Sequence, residues 1–133
     1  MTFKFNPITG KTAEIVDALM DSPEMTEDMA LQFKIRLCVE EVVENIVSYA
    51  YTGGDGPMEA SILRDNDGKI IIVFKDQGVP FDPLAKPDPD ITLSAEDRPI
   101  GGLGIFLCKQ MMDDVRYEYS NGQNVLTMVK KIG

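Results

Sequence analysis

The chain has 133 residues, 44% of them apolar, a size and composition that suit one domain with a single core over residues 1–133. A formal net charge of -9 repels a phosphate backbone, so direct nucleic-acid binding is not expected, and the lack of histidine removes the usual imidazole base and the commonest metal ligand. No apolar run is long enough to cross a bilayer and no basic start leads into an apolar stretch, so the expectation is a cytoplasmic protein with no membrane role.

The opening Thr2–Asn6 alternates polar and aromatic residues like a short strand, and Gly10–Asp21 carries apolar residues at helical spacing until Pro23 closes the element. A long helix follows, with Thr26 as its expected N-cap and Glu27 and Asp28 in its first turn. It runs to about Tyr51, where the cluster Gly53-Gly54-Asp55-Gly56-Pro57 ends it through a left-handed glycine cap. Met58–Arg64 and Lys69–Lys75 read as a hairpin across Asp65-Asn66-Asp67-Gly68, and Val115–Ser120 and Asn124–Ile132 as a second across Asn121-Gly122. Between the hairpins, Asp76–Pro99 is rich in Pro, Asp and Gly, and it leads through Gly101-Gly102-Leu103-Gly104 into a helix over Ile105–Asp113. Cys38 and Cys108 each fall within a helical stretch and read as free buried thiols. The expected architecture is an α/β two-layer sandwich, a mixed or mostly antiparallel sheet with helices on one face.

Three features bear on chemistry. In the long helix, Leu31, Ile35, Cys38, Val42, Asn45 and Tyr49 form one stripe at steps of four and three, so Asn45 interrupts an apolar row, and Glu41 lies one turn before it. A carboxamide and a carboxylate on a partly buried surface either satisfy a neighbouring loop or serve a ligand, Asn45 as an oxygen donor to a hard cation and Glu41 as a base. Asp76-Gln77-Gly78-Val79-Pro80-Phe81-Asp82-Pro83 leaves the most apolar strand, and its aspartate either closes an ordinary turn or accepts from an exocyclic amine, Gly78 allowing close approach to the backbone. Gly101-Gly102-Leu103-Gly104 opens a helix with free N–H groups at its positive end, suited to phosphate oxygens or simply to tight packing; it is no Walker motif, because no Gly-Lys-Ser/Thr follows.

In this order the three resemble the motifs of the GHKL (Bergerat-fold) ATPases: Glu41-x-x-x-Asn45 the N box, Asp76-x-Gly78-x-Pro80 the first glycine box, and Gly102-x-Gly104 the second. The runs DQGVPFDP and GGLGIFLCKQMMDDVRY, in a chain this small, are similar to those of the anti-sigma factor serine/threonine kinases of bacteria. That resemblance implies an ATP-binding kinase with Mg²⁺ on Asn45, Glu41 as general base and Asp76 on the adenine amine. It also implies ATP contacts at Tyr49, Gly78, Val79, Pro80, Gly101, Gly102, Leu103, Gly104 and Ile105, and Thr127 as the threonine that supports the aspartate. Residues Leu84–Ile100 would form a lid from which Lys86 or Arg98 reaches the phosphates. The implied partners are an anti-anti-sigma (STAS) protein as phosphoryl acceptor, a sigma factor that is sequestered, and a second copy in a homodimer. Where that branch has a His-Ala-Tyr run, this chain has Tyr49-Ala50-Tyr51, so the pocket wall differs. Two other readings share the pocket: an ATP-binding module without kinase activity, and a stand-alone catalytic domain of a histidine kinase, for which another chain must supply the histidine.

Overall fold

The computed structural model describes residues 1–51, 54–85 and 103–132, the side chain of Leu103 excepted. Among these residues five strands and three helices follow in the order β1 (Thr2–Phe5), α1 (Thr12–Met20), α2 (Met29–Tyr49), β2 (Met58–Arg64), β3 (Ile70–Asp76), α3 (Leu103–Met111), β4 (Asp114–Ser120) and β5 (Gln123–Lys130). The sheet order is β1-β2-β3-β5-β4 and every pairing is antiparallel, so of the two sheet types the sequence allowed, the antiparallel one forms.

Side chains alternate across a pleated strand, and the register selects which set is covered. Met58, Ala60 and Ile62 of β2, Ile70, Ile72 and Phe74 of β3, and Leu126 and Met128 of β5 share one buried face. Against them pack Ile15, Val16 and Leu19 of α1, Ile35, Cys38, Val39, Val42 and Val43 of α2, and Cys108 of α3. Each fully buried Ile, Leu or Phe stabilises this layer by about 1.5–3 kcal/mol relative to exposure. The two-layer sandwich is therefore one core between a sheet and three helices, with α2 seated centrally between α1 and α3. The expected stripe of α2 holds in its middle only: Leu31 is half-buried and Tyr49 is 55% exposed.

Both ends of α2 differ from expectation. Asp28, not Thr26, is the N-cap, its carboxylate accepting from the backbone N–H groups of Ala30 at 2.9 Å and Leu31 at 3.2 Å. A carboxylate at that position reaches the free amides of the first turn, whereas the Thr26 hydroxyl accepts from Asp28 N at 3.1 Å and so braces the cap itself. Asp28→Ala is expected to cost about 1 kcal/mol, read as a lower midpoint in urea at unchanged slope. At the other end the C-cap is Ala50 in a right-handed conformation, so the helix stops before the glycine cluster instead of through it. Gly53 lies outside the described residues, and the Ala50 carbonyl is engaged by the loop after β3, accepting from Val79 N at 2.9 Å.

The turns follow the sequence. Asn121 and Gly122 both have positive φ, 55° and 75°, as a two-residue hairpin of this type demands. In the β2–β3 turn, the Asp65 carboxylate accepts from Asp67 N and Lys69 N.

Candidate functional site

The site forms where the C-terminal half of α2 faces the ends of β3 and β5. Asn45 is half-buried on the helix side, and Asp76, the last residue of β3, is 5% exposed on the sheet side. Both line one pocket, together with Val42, Ile46 and Ala50 of α2 and its cap, Phe74, Leu126, Val79 and Phe81, and Ile105 from the first turn of α3. Its wall is apolar with a few converging polar groups, the usual make-up of a small-molecule site.

Glu41 stands one turn back along α2, in the groove that α2 forms with α3, beside Gly104, Cys108 and Leu107. A Cβ on Gly104 would fall on the Glu41 carboxylate, so the first turn of α3 lies directly over that group. Burial, and then the charge of Glu44, push the Glu41 carboxyl above the usual carboxylate range, while the Asn45 amide holds it down in part. A base needs a raised proton affinity together with access to a hydroxyl, and Glu41 at the seam between pocket and groove has the first.

Asp76 is held by two donors on one oxygen. Gly78 N and Asn124 Nδ2 both reach its Oδ1 at 2.9 Å, and among the described residues none reaches Oδ2. Burial raises the proton affinity of this carboxyl, with the Asn124 amide and the Gly78 N–H opposing. The loop after it is tied down on both sides. Tyr51 accepts from Gln77 N at 2.9 Å and donates to the Pro57 carbonyl, while Phe81 stacks at 5.8 Å between ring centroids on Tyr49.

Of the residues singled out in the sequence, Asn45, Asp76, Val79 and Ile105 meet in the pocket, and Glu41 and Gly104 meet in the adjoining groove. At Gly78 a Cβ would stand 2.7 Å from Ala50 Cα and closer still to its carbonyl, so the approach of the loop to the end of α2 by itself requires glycine there. Tyr49 contributes by supporting Phe81 and does not itself line the pocket, and Pro80 is exposed at the loop surface. Thr127 is a correction. It pairs with Val73 on the face of β5 that also carries Val125, opposite to Asn124, Leu126 and Met128, and so it cannot approach Asp76. Asn124, which pairs with Asp76 across the sheet, takes that place; sequence reasoning missed it, along with Tyr117, whose hydroxyl donates to Asn124 Oδ1. Gly101, Gly102, Lys86 and Arg98 lie outside the described residues, as does the rest of the expected lid beyond Ala85.

The profile of the histidine kinase-like ATPase domain matches residues 10–130. The chain belongs to that family. A serine/threonine-protein kinase named BtrW from Bordetella bronchiseptica is 32% identical over 98 residues, covering 74% of this chain and 69% of the relative. The serine-protein kinases named RsbW from Listeria monocytogenes and Bacillus cereus are 33% and 31% identical, each over 69% of this chain and over 61% and 59% of their own length. The chain thus spans about three fifths of the RsbW relatives it matches.

The residues present fit a nucleotide with a divalent cation. Among the described residues there is no group of three or more His, Cys, Asp or Glu able to hold a metal alone. A small hard cation shared with phosphates needs only one or two protein oxygens, and the half-buried Asn45 amide, at the pocket edge next to Glu41, is such a donor. No helix among the described residues is long and apolar enough to cross a membrane.

Proposed function

We propose that this chain is a cytoplasmic ATP-dependent serine/threonine kinase and anti-sigma factor, a single domain that phosphorylates an anti-anti-sigma (STAS) protein, sequesters a sigma factor and works as a homodimer. The observation that carries the reading is the meeting of Asn45, Asp76, Val79 and Ile105 in one pocket, with Glu41 one helical turn beyond under the start of α3. Family membership supports ATP as the nucleotide, and the names of the relatives as serine or serine/threonine kinases support serine as an acceptor.

In this reading Asp76 Oδ2 accepts from the adenine amine, the apolar wall of Val79, Ile105, Phe74 and Leu126 encloses the ring, and the Asn45 amide oxygen supports Mg²⁺. Bound Mg-ATP supplies the transferable phosphoryl group and the charge that offsets its oxygens. Glu41 receives the proton of the incoming hydroxyl, and the start of α3 over it, at Gly104, excludes water from that side. The sheet face turned from the helices carries Leu63, Ile71, Val73, Val125 and Val129 beside Glu59, Ser61, Lys75 and Thr127, a mixed surface that a second copy could cover.

Incubation with γ-labelled ATP, Mg²⁺ and a STAS protein from a neighbouring gene is expected to label a serine or threonine of that protein. ATP binding without label would leave the module reading in its place, and label on an added histidine-containing chain would favour the histidine-kinase reading. Failure to bind ATP at all would remove the proposal.

A further inference from the structure

The two thiols of the chain play no part in the proposed reaction, yet the fold brings them together. Cys38 lies in α2 three residues before Glu41, and Cys108 lies in α3 four residues after Gly104. Each is therefore about one helical turn from the point where the start of α3 covers the Glu41 carboxylate. Cys108 Sγ stands 3.8 Å from the Cys38 carbonyl oxygen, and its S–H is shared between that oxygen and the Cys38 sulfur. Both residues are reduced, 0% and 2% exposed, and both line the groove of about 230 Å³ between the two helices. Closely packed helices hold facing positions at a separation that a disulfide spans.

The surroundings set this pair apart from inert buried cysteines. The Cys108 S–H, with the Lys130 ammonium in support, holds the Cys38 thiol below its ordinary value against burial and the Glu41 charge. The Lys130 side chain is 13% exposed and donates to the Met111 carbonyl at the end of α3 at 2.8 Å, which keeps its charge beside the groove. As the donor in that shared hydrogen bond, and through burial, the Cys108 thiol is pushed up. The roles divide accordingly: Cys38 supplies the thiolate that meets an oxidant, and Cys108 supplies the sulfur that resolves the product.

We propose that Cys38 and Cys108 form a redox modification site, in which a small peroxide joins them in a disulfide that ties α3 to α2 and stops phosphoryl transfer at Glu41. The effect on transfer rests on the kinase reading above. The Cys38 thiolate attacks one peroxide oxygen; the S–O bond forms, the O–O bond breaks, and the departing hydroxide takes up the proton the thiol gave up. The Cys108 sulfur then attacks the Cys38 sulfur; the S–S bond forms, the S–O bond breaks, and hydroxide leaves with the Cys108 proton as water. The thiol pair loses two electrons and the peroxide is reduced to two waters. A peroxide is little larger than water and reaches both thiols through the groove, whereas their burial keeps out a bulky disulfide. A covalent S–S bond is much shorter than a contact between thiols, so its formation draws α3 onto α2. Glu41 has no room to yield, since even a Cβ on Gly104 would fall on its carboxylate, and the approach of a hydroxyl is closed. Neither cysteine lines the pocket that holds Asn45 and Asp76, so nucleotide binding continues.

The experiment treats the reduced full chain with hydrogen peroxide and takes three readings from one sample. These are intact mass with a peptide map made without reductant, ATP affinity by calorimetry, and transfer from labelled Mg-ATP to the STAS protein. Expected are a mass lower by two hydrogens, the Cys38 and Cys108 peptides joined within one chain, unchanged ATP affinity, and transfer lower by on the order of 10²-fold. Dithiothreitol is expected to restore mass and transfer together; it leaves methionine sulfoxide in place, so recovery separates the bond from oxidation of the eight methionines. Cys108→Ser keeps a donor toward the Cys38 carbonyl and is expected to give no joined peptides, to leave a Cys38 sulfenic acid that dimedone traps, and to keep its transfer. Free thiols after treatment, peptides joined only between chains, a joined pair with full transfer, or equal loss of transfer in Cys108→Ser would overturn the inference. A reduced wild type that transfers no phosphate overturns the kinase reading and with it the effect on transfer, while the mass and peptide map still decide the bond.

Discussion

Glu41→Gln is expected to leave ATP affinity unchanged and to lower phosphoryl transfer to the acceptor by about 10²–10⁴-fold, the range general-base catalysis contributes. The two halves of that expectation come from different places in the structure. Glu41 is not among the residues of the pocket that Asn45 and Asp76 share, so removing its charge takes nothing from the nucleotide. Glutamine fills the same space under Gly104, so the contact between α2 and α3 is kept. What is lost is the lone pair that takes the hydroxyl proton. The ionised form is the working one, and burial together with the Glu44 charge favours the protonated form. Transfer should therefore rise with pH along a limb lying above the ordinary carboxylate range, and Glu44→Gln should move that limb toward acid. Labelled-ATP transfer assays over a pH series, paired with calorimetry, read both halves. Full transfer by Glu41→Gln would remove Glu41 from the chemistry and leave the base to be sought elsewhere.

The parts of this molecule legible in the sequence are those fixed by local chemistry. The β4–β5 hairpin follows from Asn121-Gly122, where two positive φ angles are needed, and the buried face of α2 follows from Ile35, Cys38, Val42 and the spacing between them. The pairing of Asn45 with Asp76 in one pocket was also within reach, because a polar residue in an apolar row and an aspartate at the end of an apolar strand both call for a reason. Asn124 was not, and the cause is the composition of β5. Its two faces read Asn124, Leu126, Met128 and Val125, Thr127, Val129, and the second, with two valines and no carboxamide, is the more apolar, so alternation alone points to the wrong side as the covered one. The covered side is decided by the antiparallel pairing of β5 with β3, strands separated by about fifty positions, and a register set at that distance leaves no local trace. The start of α2 was misplaced for a smaller reason: Thr26 and Asp28 are both good caps, and only the geometry shows that one supports the other.

Gly78→Ala is expected to be the most damaging single-methyl change in the described part of the protein, lowering stability by about 3 kcal/mol and the thermal midpoint by about 10 °C. Overpacking usually costs about 1–3 kcal/mol because neighbouring side chains can move aside. Here the neighbour is the backbone of Ala50, the cap of the central helix, whose carbonyl is already hydrogen-bonded to Val79 N at 2.9 Å. Relief requires the loop to lift away from α2, and lifting it stretches the bonds from Gly78 N to Asp76 and from Asn124 to Val79. Strain at this point is therefore divided between the fold and the pocket, and a loop that yields would spare the midpoint while weakening ATP binding. A thermal melt and an ATP titration on the same preparation measure the two shares. Gly122→Ala is the instructive contrast: a methyl there meets nothing within 4 Å, and only the positive φ of 75° opposes it, so its cost is about 1 kcal/mol and ATP binding is untouched. If Gly78→Ala were to keep both the wild-type midpoint and the wild-type affinity, the close approach of this loop to the end of α2 would be wrong, and with it the placement of Asp76 opposite Asn45.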